Sequence, residues 1–182
     1  MKRITRLNLD QLENEMKLIP VDETSAIVGG RWILLGPDGK GYFDNPDAYF
    51  GQTVISIESS FGRQDMTLTS DDIDIVPLGK DENNPYDGGF AIVGNGADKS
   101  LFEFLVYYTD VEWGATVNSS TNDWILHTSN KSDEVVQLNY IPGYDTIYHS
   151  HNYSSNPSGA DMEWAYRYTY HAIYYNGEYV PY

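Results

Sequence analysis

The 182-residue sequence contains no cysteine, which removes disulfides, thiolate metal sites and cysteine nucleophiles at once. Any metal must therefore be held by histidine and carboxylate. Cationic residues are scarce as well: 11 Lys and Arg stand against 27 Asp and Glu, a formal charge of -16. Such an excess opposes attraction to phosphate backbones and anionic lipid surfaces, so neither nucleic acid nor membrane is expected as a partner. Long apolar runs are also missing. None approaches the roughly 18 residues that span a bilayer, and the N-terminus lacks the continuous apolar core of a signal peptide.

What is present points to a β-rich globular chain. Hydrophobic residues make up 41% and charged residues 21%, with 16 Tyr and 4 Trp, a composition of strands and polar-aromatic surface rather than disorder. The length suits one well-cored domain plus a modest extension.

Residues 1–30 differ from the rest, with a basic start, acidic and aliphatic residues at helical spacing, and then Gly29-Gly30. The segment resembles the double-glycine leaders of exported bacterial peptides, with Met16, Ile19 and Ile27 at apolar positions of that pattern. The alternative is a short helix and a strand, with the glycine pair as a bend. Residues 31–89 read as a β-rich region. An apolar strand leads into Pro-Asp-Gly-Lys-Gly, a turn signature, and QTVISIE at 52–58 alternates as a strand does. Residues 70–89 read as an acidic loop around one short strand, IDIVPL, whose Asp spacing lacks the EF-hand calcium pattern.

Within residues 90–182, the spacing of Leu101, Leu105 and Tyr108 predicts an amphipathic helix over 98–110. Asp98 or Ser100 is available to cap it, the latter with Glu103 as a capping box. Three runs at 111–118, 123–129 and 134–140 read as a strand meander, and YDTIYHSH at 144–151 as a fourth strand. A helix is expected over 159–168. HAIYY and EYVPY follow, joined by Asn176-Gly177, a hairpin signal.

On a strand, His149 and His151 stand at i and i+2 and point to one face. Ten residues beyond His151 lies Asp161, in the first turn of a helix that Ser158 caps. Two imidazoles and a carboxylate suit one zinc ion and leave a fourth position for water, the arrangement of catalytic zinc. Taken singly, a strand histidine is commonly a surface or core residue, and Ser-x-x-Asp a plain capping box. His127 and His171 match no ligand position and read as structural or surface residues.

HSHNYSSNPSGAD resembles the signature of the JAB/MPN (JAMM) zinc metallopeptidases, an H-x-H pair followed by Ser-x-x-Asp. The similarity covers roughly residues 90–182 and is greatest to the JAB-like peptidases of bacterial polymorphic toxin systems. It implies an α/β fold of the α+β, cytidine-deaminase-like kind, a mixed central sheet flanked by helices. It also implies one Zn2+ on His149, His151 and Asp161, and a Glu on a strand that follows a helix. Glu112, after LFEFLVYYTD, fits that slot as general base, and Ser158 matches the serine that stabilises the oxyanion. Asn152 stands where many members have proline, and the span from His151 to Asp161 is one residue shorter than the commonest form.

The implied activity is hydrolysis of an amide bond in a protein or peptide substrate by a secreted or delivered protein, with an immunity or export partner. Two other classes fit the same residues. One is a catalytically silent JAB fold that binds a protein. The other is a structural or immunity-type protein whose acidic face mimics or neutralises a basic partner. Without a leader-dependent exporter, the chain is expected in the cytoplasm.

If residues 1–30 are a leader, a chain beginning at Arg31 should melt at the same temperature and bind as much zinc as the full one. If TSAIV is instead a buried strand, its removal costs on the order of several kcal/mol at about 25 cal/mol per Å², and the midpoint falls by many degrees.

Overall fold

The computed structural model describes residues 29–35, 42–50, 53–59, 62–68, 70, 72–78, 89–135, 138 and 140–182. Eleven strands, numbered in chain order, and two helices form two sheets among these residues. The first sheet has the order β2-β1-β3-β4, from β1 (Gly29–Leu35), β2 (Tyr42–Phe50), β3 (Val54–Ser59) and β4 (Gly62–Thr67). The second has seven strands, with β5 (Asp74–Pro77) and β6 (Phe90–Val93) at one end. β7 (Trp113–Asn118), β8 (Asp123–Thr128) and β9 (Thr146–Ser150) form its middle, and β10 (Tyr170–Tyr175) with β11 (Glu178–Pro181) the other end. Its order is β11-β10-β9-β7-β8-β6-β5, and helices α1 (Lys99–Tyr108) and α2 (Gly159–Ala165) complete the fold. The chain is therefore mixed α+β, dominated by strands.

The leader expected at residues 1–30 falls almost wholly outside the described residues. Gly29 and Gly30 lie within β1, opposite Phe50 and Tyr49. The seven-stranded sheet reaches back before residue 90, because β5 forms its edge against β6. No described helix is long and apolar enough to cross a membrane.

Helix α1 starts where Asp98, in extended conformation, accepts the Leu101 N–H at 2.8 Å. Of the two candidate caps, Asp98 is the one used. Leu101, Phe102 and Leu105 are the face it buries, as the apolar spacing requires. They share a core with Ile55 and Ile57 of β3 and with Trp113, Ala115 and Leu126 of the seven-stranded sheet. Phe90 meets Trp113 edge to face at 5.6 Å, and Phe102 meets Tyr174 at 5.7 Å.

Alternation along the strands dedicates the opposite face to the site. Leu126, Ala115 and Tyr148 turn toward α1, so His127, Gly114 and His149, one residue away on each strand, turn the other way. β9 and β10 are parallel, and the crossover between them carries α2. At the β10–β11 turn Asn176 and Gly177 take φ of 50° and 84°, the type I′ hairpin the sequence indicated.

The strand expected at 134–140 requires correction. Residues 134, 135, 138 and 140 form no strand. β8 pairs instead with β6 on the side away from β7, which leaves that segment no free sheet edge there. The alternation of EVVQLNY was a poor guide because Glu134 and Val135 line a cleft rather than a sheet. The second helix likewise ends at Ala165, earlier than expected.

Gly114 lies in register with both His127 and His149. A Cβ there would meet the His127 ring at 2.2 Å, and His127 is only 1% exposed, so the ring has nowhere to go. Gly114→Ala should destabilise the protein by about 1–3 kcal/mol in urea unfolding. The same change in a His127→Ala background should cost much less, and equal costs in the two backgrounds would contradict this packing.

Candidate functional site

The sheet presents His149 near the C-terminal end of β9, and the next residue on that face, His151, follows just past the strand. His149 is 3% exposed, held between the sheet and the Tyr182 ring at 5.9 Å. The His151 N–H donates to the Tyr174 carbonyl at 3.2 Å, which continues the β9–β10 pairing beyond the strand and fixes the second imidazole. Its Nδ1 lies 2.9 Å from the Ser154 carbonyl. A proton on Nδ1 satisfies that contact, so that in the neutral imidazole Nε2 carries the lone pair.

Asp161 comes from the crossover. Ser158 caps α2, with its Oγ accepting the Asp161 N–H at 3.2 Å while the Asp161 Oδ2 accepts the Ser158 N–H at 2.5 Å. The expected capping box is thus present, and it directs the carboxylate back toward the sheet. His149 Nε2 lies 3.2 Å from Asp161 Oδ1, His151 Nε2 lies 3.5 Å from Oδ2, and the two Nε2 atoms are 3.0 Å apart. These three residues converge closely enough to hold a metal ion. Burial opposes ionisation of Asp161, but hydrogen bonds from His149 and His151 and from the Ser158 N–H hold its pKa well below the usual carboxylate range. The Asp161 contact in turn raises the pKa of His151, against its burial.

Glu112 sits between α1 and β7, one residue before the strand expected to carry it. Its backbone is clamped at both ends: its N–H donates to the Lys131 carbonyl at 2.7 Å, and its carbonyl accepts the Thr128 hydroxyl at 2.8 Å. Its side chain is 7% exposed and lines the same cleft of about 610 Å³ as His149, His151, Ser158 and Asp161. Burial pushes its pKa up to about 7; His151 opposes the rise, and the charges of Asp161 and Asp133 add to it. A carboxyl tuned to this range is suited to exchange protons near neutrality.

Asn152 fastens the site's rim. Its amide donates to the Ser132 carbonyl at 2.7 Å and to the Asp110 carbonyl at 3.3 Å. The span from His151 to Asp161 lets the carboxylate reach both imidazoles. His127, read from the sequence as an ordinary residue, proves to be buried behind the site, in a small cavity also lined by His149, Asp161, Trp164 and Tyr182. Only the neighbouring Gly114, which makes room for a ring, hinted at that position. His171 lies against Tyr182, ring centres 4.6 Å apart, and stays out of the metal cluster.

A raised carboxyl pKa penalises the fold once the group ionises. For Glu112 the penalty is absent below the reference value of 4.5, grows as pH rises toward 7, and is complete above it. In EDTA, Glu112→Gln should therefore be stabilised relative to wild type at pH 8 by up to about 3 kcal/mol, with the advantage fading toward pH 4.5. Urea unfolding at several pH values tests this; a difference independent of pH would contradict it.

No protein-family model matches the chain, and comparison with curated proteins and with solved structures gives no match.

Proposed function

We propose that this chain is a zinc-dependent peptidase or isopeptidase of the JAB/MPN type, hydrolysing an amide bond in a protein or peptide. The observation that carries the reading is the convergence of His149, His151 and Asp161 with Glu112, whose pKa burial raises to about 7, on one open cleft. The donor set fits zinc. Ligand atoms 2.0–2.1 Å from a tetrahedral ion lie ~3.3 Å from one another. One ligand atom from each of the three residues lies within 4.8 Å of the others, and the two Nε2 atoms, 3.0 Å apart, come close to that edge length. Three protein ligands leave the fourth position to water or substrate, as catalytic rather than structural zinc requires.

When bound, zinc supplies a water of lowered pKa as the nucleophile. Glu112 would hold the proton given up by the attacking water and pass it to the leaving amine, and a pKa near neutrality would serve both directions. Ser158 has an oxygen lone pair committed to the Asp161 N–H, which leaves its hydroxyl proton for the oxyanion of the tetrahedral intermediate. His151 keeps its orientation through the Ser154 carbonyl, and Asp161 through the cap of α2. Delivery as part of a toxin-like system belongs to the same proposal and rests on the N-terminal sequence and the resemblance.

The purified protein should carry about one zinc per chain, and His149→Ala or His151→Ala should lose nearly all of it. Glu112→Gln should retain the metal while amide hydrolysis falls by about 10²-fold or more. Metal analysis beside cleavage of quenched-fluorescent peptides and a lysine-linked isopeptide tests this. Metal content unchanged in the histidine variants, or full activity in Glu112→Gln, would overturn the assignment.

A further inference from the structure

One wall of the cleft is made by Asp133, Glu134 and Val135, on the segment that follows β8. This wall is held in place. The Lys131 carbonyl accepts the Glu112 N–H, the Ser132 carbonyl accepts from Asn152, and the Ser129 hydroxyl donates to the Glu134 carbonyl. The segment is thus tied at its base to the two elements that carry the general base and the metal ligands.

The charges along this cleft do not cancel evenly. Among the described residues its lining contains carboxylates and imidazoles and no lysine or arginine. Glu134 is neutralised by Lys131, at 2.5 Å. A divalent ion on the triad balances the combined charge of Asp161 and Glu112. Asp133 is left over: it is exposed, lines the cleft, and makes no side-chain hydrogen bond or ion pair among the described residues. Glu112 also lines the cleft: the residue is 7% exposed and makes no side-chain hydrogen bond among the described residues. An acidic occupant would be repelled by Asp133, whereas a cation satisfies it. Val135 beside Asp133 offers apolar contact for the methylene stem of a long basic side chain.

We propose that this cleft takes a lysine or arginine side chain adjacent to the amide to be cut, and that Asp133 is the residue that selects it. The inference deepens the zinc-peptidase reading and rests on it. Selection of this kind works largely by excluding acidic competitors, because an unpaired like charge costs more than a rim ion pair gains.

Binding can be measured apart from hydrolysis on zinc-loaded Glu112→Gln protein, by fluorescence anisotropy with two labelled octapeptides that differ only in a central Arg or Glu. The Arg peptide should bind about tenfold more tightly, and adding Asp133→Asn should weaken it about fivefold. Glu58→Gln, the same charge change at an exposed residue of β3, should alter it by less than about twofold. Equal binding of the two peptides, binding of neither, or equal weakening by Asp133→Asn and Glu58→Gln would overturn the proposal. Cleavage by the wild-type zinc protein separates the two readings. If it cuts neither peptide while the Asp133-dependent preference persists, the peptidase reading fails and the cationic subsite stands. If it cuts both equally and ignores Asp133→Asn, the subsite fails and the peptidase reading stands.

Discussion

The carboxylate of Asp161 joins two structures that would otherwise be independent. One of its oxygens closes the capping box of α2, and together its two oxygens face the imidazoles at the end of β9. Helix start and strand end are thereby locked in one relative position, with the crossover between β9 and β10 as the frame. The placement follows the general tendency of ligands to gather beyond the carboxyl ends of parallel strands, where helix starts and strand ends converge. Loss of the cap would disturb the ligand set as well as the helix, because the same atoms serve both.

Preorganisation continues outward from that carboxylate. Glu112 is held by two backbone hydrogen bonds, one to the segment after β8 and one to Thr128 of β8 itself. Asn152 binds the loop after His151 to that same segment. Burial of Glu112 destabilises the ionised fold, and the energy so stored is what brings its proton affinity into the neutral range. The second imidazole layer, His127 over Gly114, packs behind His149 and restricts what the sheet can present there.

Legibility in the sequence varied with the range of the interaction. The i, i+2 histidine pair, the capping box at Ser158 and Asp161, the apolar face of α1 and the Asn176-Gly177 turn are all set within a few residues, and each could be read directly. Phe90–Val93 forms a strand that the sequence pattern does not mark, and residues 134, 135, 138 and 140 form none where the pattern marks one. Both segments are short and apolar, and which of them pairs with β8 is a contest between distant parts of the chain. Local alternation cannot decide such a contest.

By itself the sequence determined the chemistry available: with no cysteine and few cations, a metal could be held only by histidine and carboxylate, and the motif brought three such groups within reach of one another. Tertiary structure decided the rest. It buried Glu112 beside the triad, turned Asp133 and Val135 into a cleft wall, and set His127 behind His149 through a glycine on the strand between them. The reason is physical. Side-chain direction along one strand or one helical turn is fixed by local backbone geometry, whereas burial, and with it the shift in proton affinity, depends on which remote segments exclude water from a group.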